Sequence, residues 1–141
     1  MSVLGDIRAG VMTSLSSLTV NGDGYLMTTI QAPCFEVDFP DQSFLYNRTH
    51  GRKTNELNLV VRGIVQIGDT TESQKDMDDW LDPTGSSSVK ALLEADRTLG
   101  GKVDDLFVQS VSAPRRLATP DKPNGQLLMA EWTVSLIVTT T

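Results

Sequence analysis

Few side chains in this sequence could perform acid–base or nucleophilic chemistry. The one histidine, His50, lies in an irregular basic stretch, and the one cysteine is Cys34. A histidine that acts as a general base needs a nucleophile beside it, and the sequence does not place one there. A single cysteine excludes an internal disulfide bond and a zinc site made of several thiolates. We therefore predict that the protein is not an enzyme and has no catalytic residue, cofactor or metal ligand.

Carboxylates are concentrated in one stretch of the chain, residues 69–82. This stretch holds six acids and one lysine, and its net charge of −5 is most of the −6 carried by the whole chain. Three of the acids, Asp76, Asp79 and Asp82, could converge on a cation, but the stretch lacks the D-x-[DN]-x-[DN]-G spacing of a calcium loop. The plainer interpretation is the solvated face of a helix. A third is an acidic wall past which another molecule slides.

Two other motifs could be mistaken for phosphate-binding elements. The stretch NGDG at 21–24 has no predicted strand before it and no Lys-Ser or Lys-Thr pair after it, so it does not predict a phosphate loop. Arg115 and Arg116 form a dibasic pair at the start of 113–124, which contains three prolines and Asn124-Gly125. These turn residues predict an exposed hairpin loop, on which the two arginines are expected to be solvated.

Residues 40–54 form a basic, irregular segment in an otherwise acidic protein. The segment holds one acid against three basic residues, a net charge of +2, together with aromatic side chains. One interpretation is a flexible surface loop. The other is an arm that lies on an acidic neighbour and contacts it through aromatic and basic side chains. The residues concerned are Phe44, Tyr46, Arg48, Arg52 and Lys53.

The bulk composition is that of a folded globular domain. Of 141 residues, 39% are hydrophobic and 21% are charged, which favours one packed domain, residues 1–141, over disorder. The net charge of −6 and the pI of about 4.6 predict an acidic surface that repels phosphate, so specific binding to DNA is not expected. No apolar run approaches the roughly 18 residues that a membrane helix requires, and the N-terminus lacks the apolar region of a signal peptide. We expect no membrane partner.

The first half of the chain predicts one helix and three strands. Apolar residues at steps of three and four predict a helix over 3–18, which NGDG is expected to end by turning the chain. Short strands are predicted at 25–30 and 34–39. The next strand, NELNLVVRGIVQI at 55–67, alternates between apolar and polar residues. Gly63 interrupts its apolar face, which indicates a bulge or a close contact.

The second half predicts two short helices whose ends are marked in the sequence. The acidic stretch 69–82 predicts a helix that ends at Pro83. Ser86 or Ser87 is expected to cap the next helix, and Gly100-Gly101 ends it with a left-handed backbone that other residues avoid.

Two strands follow, at 102–112 and 125–139. In the second strand the apolar residues fall on the even positions from 128 to 138, which predicts one buried face and one polar face. The order of elements predicts an α+β fold, a single layered domain with a mixed or antiparallel β-sheet and helices packed on one face.

Two segments resemble a family of structural phage proteins. The run LDPTGSSSVKALLEADRTLGG at 81–101, followed by VDDL and later by AEWTV, resembles the tail terminator (tail completion) proteins of long-tailed phages, especially those that infect actinobacteria. The N-terminal SVLGDIRAG is similar too. The element order matches over most of the chain, and the similarity is dense at 81–105 and 130–138. The stretch YLMTTIQAPCFEVDF departs from the proline-rich segment that the family has there.

The resemblance implies a virion protein of the tail and neck, assembled in the host cytoplasm. Such proteins form a ring, expected to be a hexamer, that caps the tail tube, ends its polymerisation and meets the head-to-tail connector or stopper protein. DNA passes through the lumen without specific binding. For this chain, the implied partners are further copies of itself, the tail tube protein and the connector. We expect neighbours to contact the aromatic and basic residues of 40–54 together with Arg115 and Arg116, and we expect lumen-facing carboxylates at Glu72, Asp76 and Asp79.

Two alternatives stay open at this point. A head-to-tail stopper or adaptor, or the tube protein itself, would act at the same joint, although many tube proteins are β-dominated and have no comparable helix pair. A small acidic metal-binding module is the more distant alternative.

Overall fold

The computed structural model describes residues 3–18, 20–26, 32–39, 44–45, 54–67, 72–119 and 122–139. The helices are α1 (Val3–Ser14), α2 (Glu72–Leu81) and α3 (Val89–Ala95), and a 3-10 turn at Ser16–Leu18 follows α1. The strands are β1 (Asn21–Gly24), β2 (Cys34–Asp38), β3 (Phe44–Leu45), β4 (Thr54–Gln66), β5 (Asp105–Val111), β6 (Arg115–Thr119) and β7 (Lys122–Thr139). Residues 27–30 and 69–71, for which the sequence predicts strand and helix, lie outside the described residues.

The strands form one mixed sheet around the long antiparallel pair β4 and β7. The strand order is β1-β2-β4-β7-β5, with β3 also paired to β4 and β6 also paired to β7. The β1–β2 pair is parallel and the other pairs are antiparallel. This mixed sheet with three helices confirms the predicted α+β class.

One face of the sheet is apolar and carries all three described helices. Along β7 the even positions are on this face, and Trp132, Val134 and Leu136 are fully or almost fully buried. This confirms the predicted register, because the period of a strand puts alternate residues on one side. The helices contribute the other half of the core through Ile7, Val11 and Leu15 of α1, Met77 and Trp80 of α2, and Val89 and Leu93 of α3.

Gly63 lies on the same face and leaves space for aromatic rings. A Cβ atom at this position would lie 2.7 Å from Cε1 of Phe35 and 2.9 Å from Cζ3 of Trp132. The Phe35 ring centroid is 4.7 Å from that of Trp80 and 6.1 Å from that of Trp132. The β4–β7 register runs unbroken through the pair Gly63–Ala130, so the glycine marks a close contact and not a bulge.

The structure corrects the prediction for NGDG. These residues form β1, which pairs with β2 in parallel, and the α-helical part of the predicted helix 3–18 already ends at Ser14. Arg8 of α1 holds the new strand by donating hydrogen bonds to the carbonyl oxygens of Gly24 (2.6 Å) and Val37 (2.5 Å). Residues that favour a turn therefore form a strand here, because pairing with β2 and the contacts of Arg8 stabilise the extended backbone. Residues 25 and 26, predicted as the start of a strand, are not in one.

A second correction concerns the predicted loop at 113–124. Most of this segment forms a β-hairpin, in which Arg116 of β6 pairs with Leu128 and Thr119 pairs with Lys122. Arg115 and Arg116 therefore lie on a strand and not on a loop. Pro114 precedes β6 and Pro123 lies at the start of β7, positions at which proline is tolerated.

The ends of the helix pair agree with the sequence only in part. Gly100 and Gly101 have the predicted left-handed backbone, with φ angles of 70° and 91°, but α3 already ends at Ala95, so these glycines lie in the turn after the helix and do not end it. The helix cap is Ser88, whose Oγ accepts a hydrogen bond of 3.1 Å from the backbone N–H of Ala91, so the predicted caps Ser86 and Ser87 are wrong by one or two residues.

Replacing Trp132 with alanine should destabilise the fold by about 3–5 kcal/mol, because the large side chain fills the centre of the core and its removal leaves a cavity. The neighbouring Thr133→Ala variant is the control, since Thr133 lies on the opposite face of β7 and should cost at most about 1 kcal/mol. Chemical denaturation of both variants measures the difference. Equal free energies of unfolding would show that the assigned register is wrong.

Candidate interaction surfaces

The face of the sheet opposite the helices carries a network of ion pairs centred on Arg62. The register places Glu36 of β2 and Glu131 of β7 directly beside Arg62 of β4. The guanidinium lies 3.2 Å from Glu36, 3.0 Å from Glu131 and 3.5 Å from Asp38. Arg115 of β6 extends the network, since its Nη2 is 2.5 Å from Glu131. Four strands are thus joined by side-chain charges.

Burial makes the centre of this network stronger than its margin. The Arg62 side chain is 21% exposed and that of Glu36 is 7% exposed, whereas Arg115 is 60% exposed. Partial burial opposes the charge on Arg62, but hydrogen bonds to Glu131 and Glu36 outweigh it and raise the pKa of the guanidinium above its usual value. The charges at the centre are satisfied within the chain, so this network stabilises strand pairing and is a poor candidate for ligand binding.

The outward side of β5 is covered by charged side chains of α3 and of the turn that follows it. A carboxylate oxygen of Glu94 accepts a hydrogen bond of 2.9 Å from the backbone N–H of Val108. Arg97 Nε donates to the carbonyl oxygen of Leu106 at 3.2 Å and also pairs with Asp105. Lys90 lies 2.6 Å from Glu94 and holds that carboxylate in place. We call Glu94 and Arg97 the edge cap.

The ionised form of Glu94 is favoured by its partners. Partial burial acts to raise its pKa, but the hydrogen bonds from Lys90 and from the Val108 N–H, with the charges of Lys90 and Arg97, outweigh burial and lower the pKa below its ordinary value. A carboxylate that accepts charged and backbone donors behaves in this way.

The three carboxylates predicted to face a lumen are exposed on α2. Glu72, Asp76 and Asp79 all point to solvent, and Glu72 has a distant ion pair with Lys75 at 3.9 Å. Exposure agrees with the plainer interpretation of a solvated face, and a lumen position stays a prediction. In the part of the chain that the structure describes, which includes Asp76, Asp79 and Asp82, no three His, Cys, Asp or Glu residues are grouped to hold a metal ion.

The structure describes three of the residues predicted to contact neighbours, Phe44, Arg115 and Arg116, and does not bring Phe44 together with the two arginines. Arg115 is engaged by Glu131, and Arg116 is exposed on the helix-bearing side of β6. Phe44 lies in β3 opposite Leu57, and β3 and β6 flank opposite ends of the β4–β7 pair. The remaining four residues, Tyr46, Arg48, Arg52 and Lys53, lie outside the described residues.

Sequence reasoning missed both the Arg62 network and the edge cap. The signal for the network was weak but present, since Glu36, Arg62 and Glu131 occupy polar positions of alternating strands. Which strands are neighbours was not predicted, and without that knowledge the three charges could not be paired. The edge cap depends on how α3 lies against β5, which strand and helix periodicity do not specify.

Comparison with known proteins adds no relative. A scan against protein-family models and a search of curated proteins each find no match. Among the described residues no helix is both long and apolar enough to cross a membrane.

Replacing Arg62 with methionine should lower the free energy of unfolding by about 1–3 kcal/mol, because three carboxylates lose a shared and partly buried partner. Arg115→Met is the matched control, since it removes an exposed arginine from the same Glu131 and should cost less than about 1 kcal/mol. Urea denaturation at neutral pH measures both. Similar losses in the two variants would contradict the assigned role of burial.

The pKa of Glu94 predicts a pH dependence of stability. Because the folded-state pKa is lowered from 4.5, the stabilisation is fully present above that value and is lost as pH falls through the folded value. The Glu94→Gln variant has no such titration. The difference in free energy of unfolding between parent and variant should therefore shrink as the pH is lowered below about 4.5. Urea midpoints across acidic pH test this, and a constant difference would refute it.

Proposed function

We propose that the protein is a structural component of a phage virion, a tail terminator that forms a ring of six copies at the end of the tail tube. The ring stops tube polymerisation and joins the tail to the head connector. DNA passes through its lumen without specific binding. The supporting observation is the spatial arrangement of the two segments that carry the family resemblance.

These two segments form one continuous unit in the fold. Residues 81–105 include α3 and lead into β5, and residues 130–138 lie in β7. The strands join them, with Asp105 opposite Ile137 and Leu106 opposite Leu136. The backbone N–H of Asp104 also donates to the carbonyl oxygen of Ile137 at 2.8 Å. The two segments that resemble the family are thus far apart in sequence but in contact in the fold. This contact supports the interpretation that they belong to one structural element that the chain has in common with the family.

The helix pair suits a subunit that must close a ring. A closed ring requires the same angle between every pair of neighbours. α2 ends before Pro83, Ser88 caps α3, and left-handed glycines at 100 and 101 end the turn that follows. Both helices are anchored in the core by buried side chains. Their ends are therefore fixed relative to the sheet, which gives the subunit a defined shape.

The exposed acids of α2 suit a surface that DNA passes without binding. Cationic groups bind DNA by displacing its counterions, whereas carboxylates repel its phosphates. Glu72, Asp76 and Asp79 are fixed on a helix whose Met77 and Trp80 are buried. We place these three carboxylates on the lumen or its rim.

The oligomeric state and the effect on tube growth test the proposal. Purified protein should form rings visible by negative stain, alone or on the ends of tubes, and substoichiometric amounts should stop growth of the purified tail tube protein. Binding to the connector without any effect on tubes would favour the stopper or adaptor alternative. A chain that stays monomeric and affects neither would overturn the proposal.

Deleting residues 43–52 should give a folded chain that fails to assemble. The deletion removes β3, which is two residues long, and leaves the described core residues in place. Circular dichroism and cooperative unfolding report the fold, and tail completion reports assembly. Replacing 43–52 with a Gly-Ser linker of equal length is the control for chain length. Completed tails from the deletion variant would show that this segment is not an assembly contact.

Reversing the charges in an E72K/D76K/D79K variant should slow DNA ejection or alter DNA retention, because lysines in the lumen would bind the passing phosphates. The neutral variant E72Q/D76N/D79N separates charge from shape and should have a smaller effect. DNA release from assembled particles is the measurement. If the three side chains point away from the ring axis and the reversal changes nothing, α2 only contributes surface charge.

A further inference from the structure

β5 is the last strand in the strand order of the described sheet. One of its two hydrogen-bonding sides therefore has no neighbouring strand in that order, and we call it the outward side. Its inward side pairs with β7, with Phe107 opposite Ser135 and Val108 opposite Val134. The N–H of Val108 donates instead to Glu94 of α3, and the carbonyl oxygen of Leu106 accepts from Arg97 of the turn after α3. Side chains thus occupy backbone groups that a further strand would use.

Exposed apolar side chains lie on β5 and on its partner strand. Five large hydrophobic side chains of the described chain are exposed, and three of them, Phe107, Val111 and Ile137, lie on β5 or on its partner strand β7. Uncovered apolar residues beside a strand edge are the usual setting for edge-to-edge association.

We propose that the edge cap prevents β5 from pairing with β5 of a second copy of this chain. β5 has a bulge between Val108 and Ser110, and a two-fold antiparallel pair centred on Phe107 would lie ahead of it. In that pair, Val108 of each copy would exchange backbone hydrogen bonds with Leu106 of the other. The N–H that this pairing needs is the one that Glu94 holds.

The charges of β5 permit this pairing once the cap is absent. Asp105 is the one charged residue of the strand DLFVQSV. In an antiparallel pair centred on Phe107, Asp105 of one copy lies opposite Gln109 of the other, so the two carboxylates are not opposed. Repulsion between the strands therefore does not prevent a second copy from pairing here, whereas the cap occupies the backbone groups that the pairing needs.

Each side chain of the edge cap is held by an ion pair, and the cap is also accessible to solvent. Lys90 supports Glu94 through an ion pair of 2.6 Å, and Asp105 supports Arg97 through contacts of 2.9 and 3.0 Å. The Arg97 side chain is 54% exposed, so competing strands can reach it. This inference concerns β5 alone and does not depend on the proposed function.

An E94A/R97A variant tests the cap. As its concentration is raised, its mass by light scattering should approach twice that of the parent measured under the same conditions. At dilutions where it does not associate, the Val108 amide should exchange with solvent about tenfold faster or more, the factor expected for loss of a hydrogen bond to a charged group. The conservative variant E94Q/R97K keeps an acceptor and a donor and should behave as the parent does.

A blocking substitution identifies the surface. Adding Phe107→Lys to E94A/R97A should restore the parent mass, because lysine on an edge strand opposes pairing. Association that persists with F107K, or no change in mass for folded E94A/R97A, would overturn the proposal. If E94A/R97A does not fold, the single variant E94A carries the test, and unchanged exchange at Val108 would overturn it. A parent that forms no ring counts against the proposed function and leaves this test intact.

Discussion

The pairing of β4 with β7 is the constraint on which the rest of the structure depends. Thirteen consecutive pairs, from Thr54–Thr139 to Gln66–Leu127, hold the two strands in one register. A shift by one residue would turn each apolar side chain to the opposite face. The same register places Gly63 beside Ala130, where a missing side chain leaves space for the rings of Phe35 and Trp132. The aromatic centre of the core is therefore a consequence of strand pairing.

Each face and edge of the sheet is then stabilised by a different interaction. The helices cover the apolar face through buried side chains, and ion pairs around Arg62 join the strands on the other face. α3 has two roles, because Val89 and Leu93 are in the core while Glu94 reaches the edge of β5, where Arg97 of the following turn joins it. A helix of seven residues thus contributes both to packing and to the protection of a strand edge.

The features that the sequence predicted are those that depend on local pattern. The buried even positions of β7 follow from alternation, and the left-handed backbone at Gly100 and Gly101 follows from their freedom, although α3 ends earlier, at Ala95. Ser88 was missed as a cap because three adjacent serines are equivalent until the helix start is known. The prediction of a turn at NGDG was wrong because pairing with β2 and the hydrogen bonds of Arg8 override the turn propensity of these residues. The Arg62 network needed knowledge of which strands are neighbours, which no local pattern contains.

The sharing of one guanidinium among three acids makes the positions of the network unequal in how freely they can change during evolution. Glu36, Asp38 and Glu131 all meet Arg62, and Glu131 also meets Arg115. Exchange of one acid leaves the arginine with other partners, so the acids can drift one at a time. Exchange of Arg62 removes in one step a partner that three acids share. Among diverging descendants of this chain, the arginine is expected to be retained while its acidic partners vary around it.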